Sequence, residues 1–415
     1  MAAVEELGHA PVKVASPKYQ VLLVGLLSLN FGILFFDRNA SNFLMPFMKP
    51  DLGLSNAQVG YTASALSFSW AISTIFIGAV SDRGGRRKVL LIASTIAYSL
   101  CSFLTGIAGS FLALFAARLL MGIPEGGVAP ISQAMTALAV PPERRGLAMG
   151  VMQNFGSNIL GSFVAPVLLV QLAKWYGWHS AFYIIGVPGL ICALLIWVFV
   201  REPEEQPHES ETSEPFAARF FAILAERNVV LCGVLSILLV SYLVVCWAFM
   251  PLFLTSVRGF APETMGWLMG SLGISSTVGS ILVTGLSDRI GRKPVMIVTC
   301  FMGVILPLGA VYFGGSAWVL AIMFCVGWAL TSIFPLFMGT VPSESVAPRH
   351  MATAIAMVMS VGELVGGVFA PTLAGYAADA SGLAAPLWIM LGLCLTAGAA
   401  ALFLRETAPA RLAAR

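Results

Sequence analysis

Along this chain, long apolar runs alternate with short polar breaks. From residue 19 to residue 404 the runs are mostly long enough to cross about 30 Å of hydrocarbon, which takes roughly 20 residues of helix. Twelve are expected, at 19–48, 57–80, 89–109, 111–138, 146–173, 179–200, 227–257, 263–286, 294–313, 316–340, 350–378 and 383–404. The runs lack the period-two alternation of a barrel strand, and a helix satisfies its own backbone groups in lipid, so each is read as a helix. The longer runs must tilt or bend.

The breaks between them carry a repeat. After the second run stands "GAVSDRGGRRKVL" and after the eighth "GLSDRIGRKPVM", which places Asp82 and Asp288 206 residues apart. A fainter echo, "PPERRGLAMG" against "APRHMATAIA", places Arg145 and Arg349 204 apart. Two loops repeating at nearly one offset indicate duplication of a six-helix unit. The expected organisation is a tail at 1–18, a bundle at 19–200, a polar Glu-, Ser- and Pro-rich linker at 201–226, a second bundle at 227–404 and a tail at 405–415. In the repeated loop an aspartate beside a Gly turn can cap a helix N-terminus, and the arginines can pair with acids from the other half.

Composition supports the membrane reading. Of 415 residues 58% are hydrophobic and only 10% charged, more apolar surface than a water-soluble protein of this size tolerates. Eighteen of the 23 lysines and arginines fall in the tails and alternate loops of one side. Three, Lys49, Lys174 and Arg258, fall on the other, and Arg38 and Arg118 lie inside runs. By the positive-inside rule both termini are expected in the cytoplasm, and the net charge of +3 is a signal of topology with no bearing on nucleic acid. The first 20 residues lack the apolar core and small-residue cleavage site of a signal peptide. The seven cysteines all fall within runs, without metal spacing, and no cofactor or metal is expected. No nucleophile and base constellation or phosphate loop argues for an enzyme.

Few ionisable groups remain at depth: Asp37 and Arg38 in the first run, Arg118 and Glu125 in the fourth, and Glu363 in the eleventh. Each costs about 2.5–3.5 kcal/mol if it faces lipid at a helix centre, so all are expected to face inward. Arg118 and Glu125, two helical turns apart, share one face, whereas the adjacent Asp37 and Arg38 diverge by about 100°. "MGIPEGGVAP" surrounds Glu125 with Pro124 and two glycines, a composition that bends a helix and admits a solute to the backbone. Burial favours the neutral form of a carboxylic acid and a nearby guanidinium favours the charged form, the balance a proton carrier needs. The bland alternative is a structural ion-pair brace between the first and fourth helices. Trp70 and Tyr61, Asn154 and Asn158, and Tyr242 and Trp247 are further candidates for the lining of a binding chamber, each also explicable by packing.

The two six-helix halves with "SDRGGRRK" and "SDRIGRK" resemble the major facilitator superfamily over essentially residues 19–404. The resemblance implies an all-α membrane fold of two six-helix bundles that rock about a central site. It also implies a cytoplasmic gate at Asp82, Arg83, Arg86, Asp288, Arg289 and Arg292. "FFDRNASNFLMP" and "ARLLMGIPEGG" are similar to the anion:cation symporter branch, carriers of sugar acids and other organic carboxylates. That resemblance implies Arg38 as carboxylate anchor, Asp37 and Glu125 as proton sites and Arg118 as their modulator. Trp70 stands where related symporters place an aromatic against substrate, and Asn154, Asn158, Tyr242 and Glu363, read from their positions in the runs, are the other expected substrate contacts. Glu363 departs from the pattern, where a neutral amide is usual. The expectation is therefore a proton-coupled symporter of a small organic carboxylate in a bacterial inner membrane, acting as a monomer with the anion, protons and the lipid bilayer as its partners. The alternatives are an exchanger or facilitator of a zwitterion or cation selected by Glu363, and a sensor that does not transport.

Overall fold

The computed structural model describes residues 16–84, 86–203, 223–347, 350–408 and 411. Residues 1–15 of the expected tail, 204–222 of the expected linker and Arg349 of the fainter repeat lie outside the described residues. The described helices are α1 (Pro17–Leu52), α2 (Asn56–Gly84), α3 (Arg87–Gly106), α4 (Phe111–Ala139), α5 (142–176) and α6 (178–199), followed by a second set. That set is α7 (Arg227–Ser256), α8 (Pro262–Ile290), α9 (Arg292–Tyr312), α10 (Ala317–Ser345), α11 (351–381) and α12 (Ala385–Ala401). Among the described residues nine helical segments are long and apolar enough to cross a membrane. One of them, Leu147–Phe199, runs for 53 residues and breaks at Gly177, where φ is 79°, so it crosses twice. With α2 and the shorter α12 the chain forms twelve spans, each close to its expected place.

Local chemistry sets several boundaries. At the start of α2, Ser55 Oγ accepts from the Gln58 N–H at 3.1 Å and Gln58 Oε1 from the Ser55 N–H at 2.9 Å, a reciprocal capping box. Ser110 and Ser316 cap α4 and α10 by accepting from Ala113 and Val319. At Gly291, where φ is 111°, the chain turns from α8 into α9 in a conformation that side-chain-bearing residues avoid.

Within each half the helices meet at glycines. A Cβ on Gly156 of α5 would stand 1.9 Å from the Ser28 carbonyl oxygen of α1. One on Gly362 of α11 would stand 2.1 Å from Ser236 Oγ of α7. The pairs α1–α5 and α7–α11 are thus equivalent backbone crossings, the usual means of close association in lipid.

The described polar links between the halves lie at the end remote from the α2–α3 and α8–α9 turns. There Asp379 of α11 accepts from the Asn56 and Ala57 N–H groups at the start of α2, each at 2.9 Å. Tyr61 bonds Tyr376, Ser64 bonds Thr372 at 2.8 Å, and Lys174 of α5 pairs with Glu263 of α8. Gly60 approaches so closely that a Cβ there would lie 2.2 Å from the Pro371 carbonyl oxygen. The halves are therefore sealed together at this end.

At the opposite, basic end the repeated loops are organised differently from the expectation. Arg292 pairs with Asp288 and with Glu344 at 3.1 Å and donates to Ser287 Oγ at 2.8 Å, all in its own half. An acid of the other half is not among these partners, because the preceding turn of α8 and the nearby end of α10 are already within reach. Capping also falls to different acids. Glu406 accepts from the Arg292 and Lys293 N–H groups at 2.7 and 3.2 Å, and Glu202 accepts from the Lys88 N–H at 3.0 Å. Glu202 and Glu406 stand 204 residues apart in "REPEE" and "RETAP", a third echo of the duplication. Arg86 and Arg289 are exposed, and the side chains of Asp82 and Arg83 lie outside those described.

Candidate functional site

Four of the five deep charges converge in the first bundle. α1 runs unbroken past Asp37 and Arg38, whose side chains leave it in different directions, as their 100° separation requires. Asp37 is buried and accepts a hydrogen bond from Ser102 Oγ of α3. Arg38 turns instead toward α4 and α2. Its Nη1 lies 3.7 Å from Glu125 Oε2, and its guanidinium carbon is 5.2 Å from the Trp70 ring and 5.7 Å from that of Phe35. Such faces attract a cation and hold its plane.

Exposure divides the pair: the Arg38 side chain is 16% exposed and Glu125 0%. The arginine is therefore the member of the pair that reaches accessible space, while the acid behind it is sealed. Arg118 is fully buried, 5.2 Å from the Phe182 ring, with Nη1 3.3 Å from Met121 Sδ, and its charge acts on both Asp37 and Glu125. Among the described residues several polar atoms here have no hydrogen-bond partner: Asp37 Oδ1, both oxygens of Glu125, and Arg118 Nε and Nη2. A brace that only joined helices would close these bonds, since unsatisfied buried groups cost about 1–3 kcal/mol each and more when charged. Among the described residues the two acids and Arg118 are thus grouped in one buried cluster that is only partly hydrogen-bonded.

Glycines place the remaining groups. In α4, Gly122 and Gly126 press on Leu66 and Trp70 of α2, which brings Trp70 against Arg38. In α11, Gly362 and Gly366 press on α7 and Gly367 faces Ser67 of α2, so Glu363, whose Oε2 lies 3.2 Å from a Cβ on Gly367, occupies the face between α2 and α7. Glu363 is half-buried, and Arg38 is its charged neighbour across the bundle boundary.

α5 and α11 carry matching π-helical turns, Ser157–Val164 and Gly362–Gly367. "FGSNILGSFVAP" and "VGELVGGVFAP" align at an offset of 205, which makes Asn158 and Glu363 equivalents. Turns of this kind occur often at functional sites. Asn158 is half-buried and Asn154 exposed. Tyr242 is not brought to this space: it is buried, donates to the Gly303 carbonyl at 2.8 Å and packs 6.1 Å from Trp328. Sequence reasoning missed Ser102, Phe35 and Ser67. Ser102 gave no signal, being one serine among several in α3, whereas Phe35 stands one turn before Arg38 on the same helix.

Comparison with known proteins agrees with this architecture. The sequence profile of the Major Facilitator Superfamily matches residues 27–365. The probable sulfoacetate transporter SauU of Cupriavidus necator is 25% identical over 406 residues, covering 92% of this chain and 93% of that protein. The hexuronate transporter of Bacillus subtilis is 27% identical over 383 residues, covering 86% and 88%. The crystal structure of a bacterial homolog of the human lysosomal transporter Spinster, inward-facing and unoccupied, superposes with a TM-score of 0.71 over 94% of this chain and 95% of that one. At 20% identity this likeness concerns the fold.

Proposed function

The chain belongs to the Major Facilitator Superfamily, and from that premise we propose a proton-coupled symporter that takes up a small organic carboxylate by alternating access. The observation that carries the reading is the Arg38–Glu125 contact: a partly exposed guanidinium 3.7 Å from a sealed carboxylate that accepts no hydrogen bond among the described residues. A substrate carboxylate takes the Arg38 fork bidentately, which is a stronger arrangement than the single loose contact it displaces. Glu125, deprived of its counter-charge in a dry interior, then takes a proton. Asp37 is the second proton site, positioned by Ser102, and Arg118 stabilises whichever of the two acids is charged.

Charge balance supports coupling. The site sets three carboxylates, Asp37, Glu125 and Glu363, against two guanidiniums, Arg38 and Arg118. A bound anion deepens the negative excess in a low-dielectric space, and protonation of Asp37 and Glu125 relieves it. The named relatives are a probable sulfoacetate transporter and a hexuronate transporter, and sulfoacetate and hexuronate are both organic anions. Trp70, Asn154 and Asn158 line the chamber in this reading, and Tyr242 ties α7 to α9 and α10.

The basic end is cytoplasmic by the excess of lysine and arginine there, which puts both termini inside a bacterial inner membrane. With that orientation, the polar links at the other end are those of an inward-facing conformation in this reading. Asp82, Arg83, Arg86, Asp288, Arg289 and Arg292 form the gate region that closes on the return stroke, and one chain suffices.

Reconstituted vesicles test this with a labelled carboxylate and an imposed pH gradient. Uptake should follow an inward proton gradient, and Glu125→Gln should lose gradient-driven accumulation while exchange of internal for external substrate continues. Accumulation by Glu125→Gln at the wild-type level would remove Glu125 from the coupling.

A further inference from the structure

Glu363 is the one deep charge that the coupling scheme leaves without a task. It stands on α11, in the second bundle, one turn before the Gly366–Gly367 pair that holds α11 against α7 and α2. Ser67 of α2, which meets the same Gly367 as the Glu363 carboxylate, lies three positions before Trp70, against which Arg38 is stacked. Residues three apart on a helix share a face, so one turn of α2 has Glu363 at one end and Arg38 at the other. The two charges do not close into an ion pair: the described ion pair of Arg38 is with Glu125, and among the described residues none donates a hydrogen bond to Glu363. A half-buried carboxylate with accepting lone pairs therefore faces the space in which Arg38 is offered.

An acceptor-only group repels a second carboxylate, so it cannot share the anionic end of the substrate. It matches a donor. Its equivalent by the 205-residue offset, Asn158, carries both donors and an acceptor, so the two π-helical turns offer complementary hydrogen-bonding groups from opposite bundles. Resting on the carboxylate reading above, we infer that Glu363 selects for organic acids that also carry a hydroxyl group, accepting its hydrogen bond while Arg38 holds the carboxylate. Acids of the same size without a hydroxyl leave the Glu363 carboxylate desolvated and unpaired, and are rejected for that reason.

The test measures binding to the purified full-length protein with matched probes: benzoate against 3-hydroxybenzoate and 3,4,5-trihydroxybenzoate, hexanoate against gluconate, and β-alanine as an ammonium-bearing acid. The wild type should prefer the hydroxylated members by about 10- to 100-fold, the worth of one hydrogen bond to a charged group. Glu363→Leu should bind both members of a pair alike, with the unhydroxylated acid bound as well as or better than by the wild type. Glu363→Gln, which keeps an acceptor, should retain part of the preference, and melting without ligand establishes that each variant is folded. A hydroxyl preference that survives in Glu363→Leu overturns the inference, as does a preference for β-alanine that this variant abolishes. If carboxylates bind through Arg38 but show no hydroxyl preference, the inference alone falls. If the wild type binds no carboxylate, or Arg38→Ala binds them normally, the carboxylate reading falls first.

Discussion

Between α1 and α4 the first bundle holds Asp37, Arg38, Arg118 and Glu125; between α7 and α10 the second holds Tyr242, Trp247 and Trp328. Tyr242 stands 205 positions after Asp37, and the two sets occupy equivalent places in a duplicated plan. The aromatic set is closed on itself, Trp247 meeting Trp328 edge-on at 5.2 Å and Phe43 of the first bundle at 5.5 Å, with Tyr242 Oη and Trp328 Nε1 both satisfied. The charged set is left with unpartnered atoms. In the proposed function, one half stays as it is and the other changes protonation and partners. After duplication, one copy of the scaffold can carry coupling while the other supplies packing, a bundle seam and, through Glu363, recognition.

The contrast can be broken in order of expected effect. Arg38→Ala should reduce carboxylate binding and uptake to background, since it removes the charge that the chamber exposes; normal affinity would mean the charged half is a brace after all. Trp328→Ala should lower stability by about 3–5 kcal/mol, as large-to-small changes in packed interiors do, yet leave the pH dependence of uptake in the surviving protein unchanged. A shifted pH profile in that variant would show that the aromatic half takes part in coupling.

Smaller effects sharpen the role of the seam. Asp379→Ala removes two hydrogen bonds to the start of α2 and should destabilise the sealed end by about 1 kcal/mol, the usual worth of a helix cap. That is about a fivefold shift between conformations, readable as a change in distance distribution between spin labels on the ends of α2 and α11. The smallest change is expected from Tyr242→Phe, about 1 kcal/mol of stability with uptake retained, because its hydroxyl is spent on the Gly303 carbonyl. Loss of uptake there would return Tyr242 to the chamber.

Much of this was legible beforehand, and for definite reasons. Spans follow from the length of apolar runs against the thickness of hydrocarbon, and the duplication from "SDRGGRRK" and "SDRIGRK" at fixed offset. The echo of Glu202 and Glu406 was equally present in the chain, but only the structure connects each to the helix start it caps, more than 100 residues earlier. The loop arginines illustrate the converse. Their charge and spacing are compatible with acids of either half, and Arg292 takes those of its own because α8 and α10 deliver them first.

By itself, then, the sequence determined that this is a duplicated helical membrane protein, and which charges lie too deep to face lipid, because helix length and burial cost depend on local composition alone. Tertiary structure decided which of those charges is exposed. Asp37 and Arg38 are adjacent in the chain, and only the packing of α2, α3 and α4 around α1 seals the first against Ser102 and leaves the second partly exposed beside Trp70 and Glu125. Glycine contacts between α11, α7 and α2 likewise aim Glu363 at the same space. Such outcomes depend on where helices hundreds of residues apart cross, a property of their combined surfaces that no single segment contains.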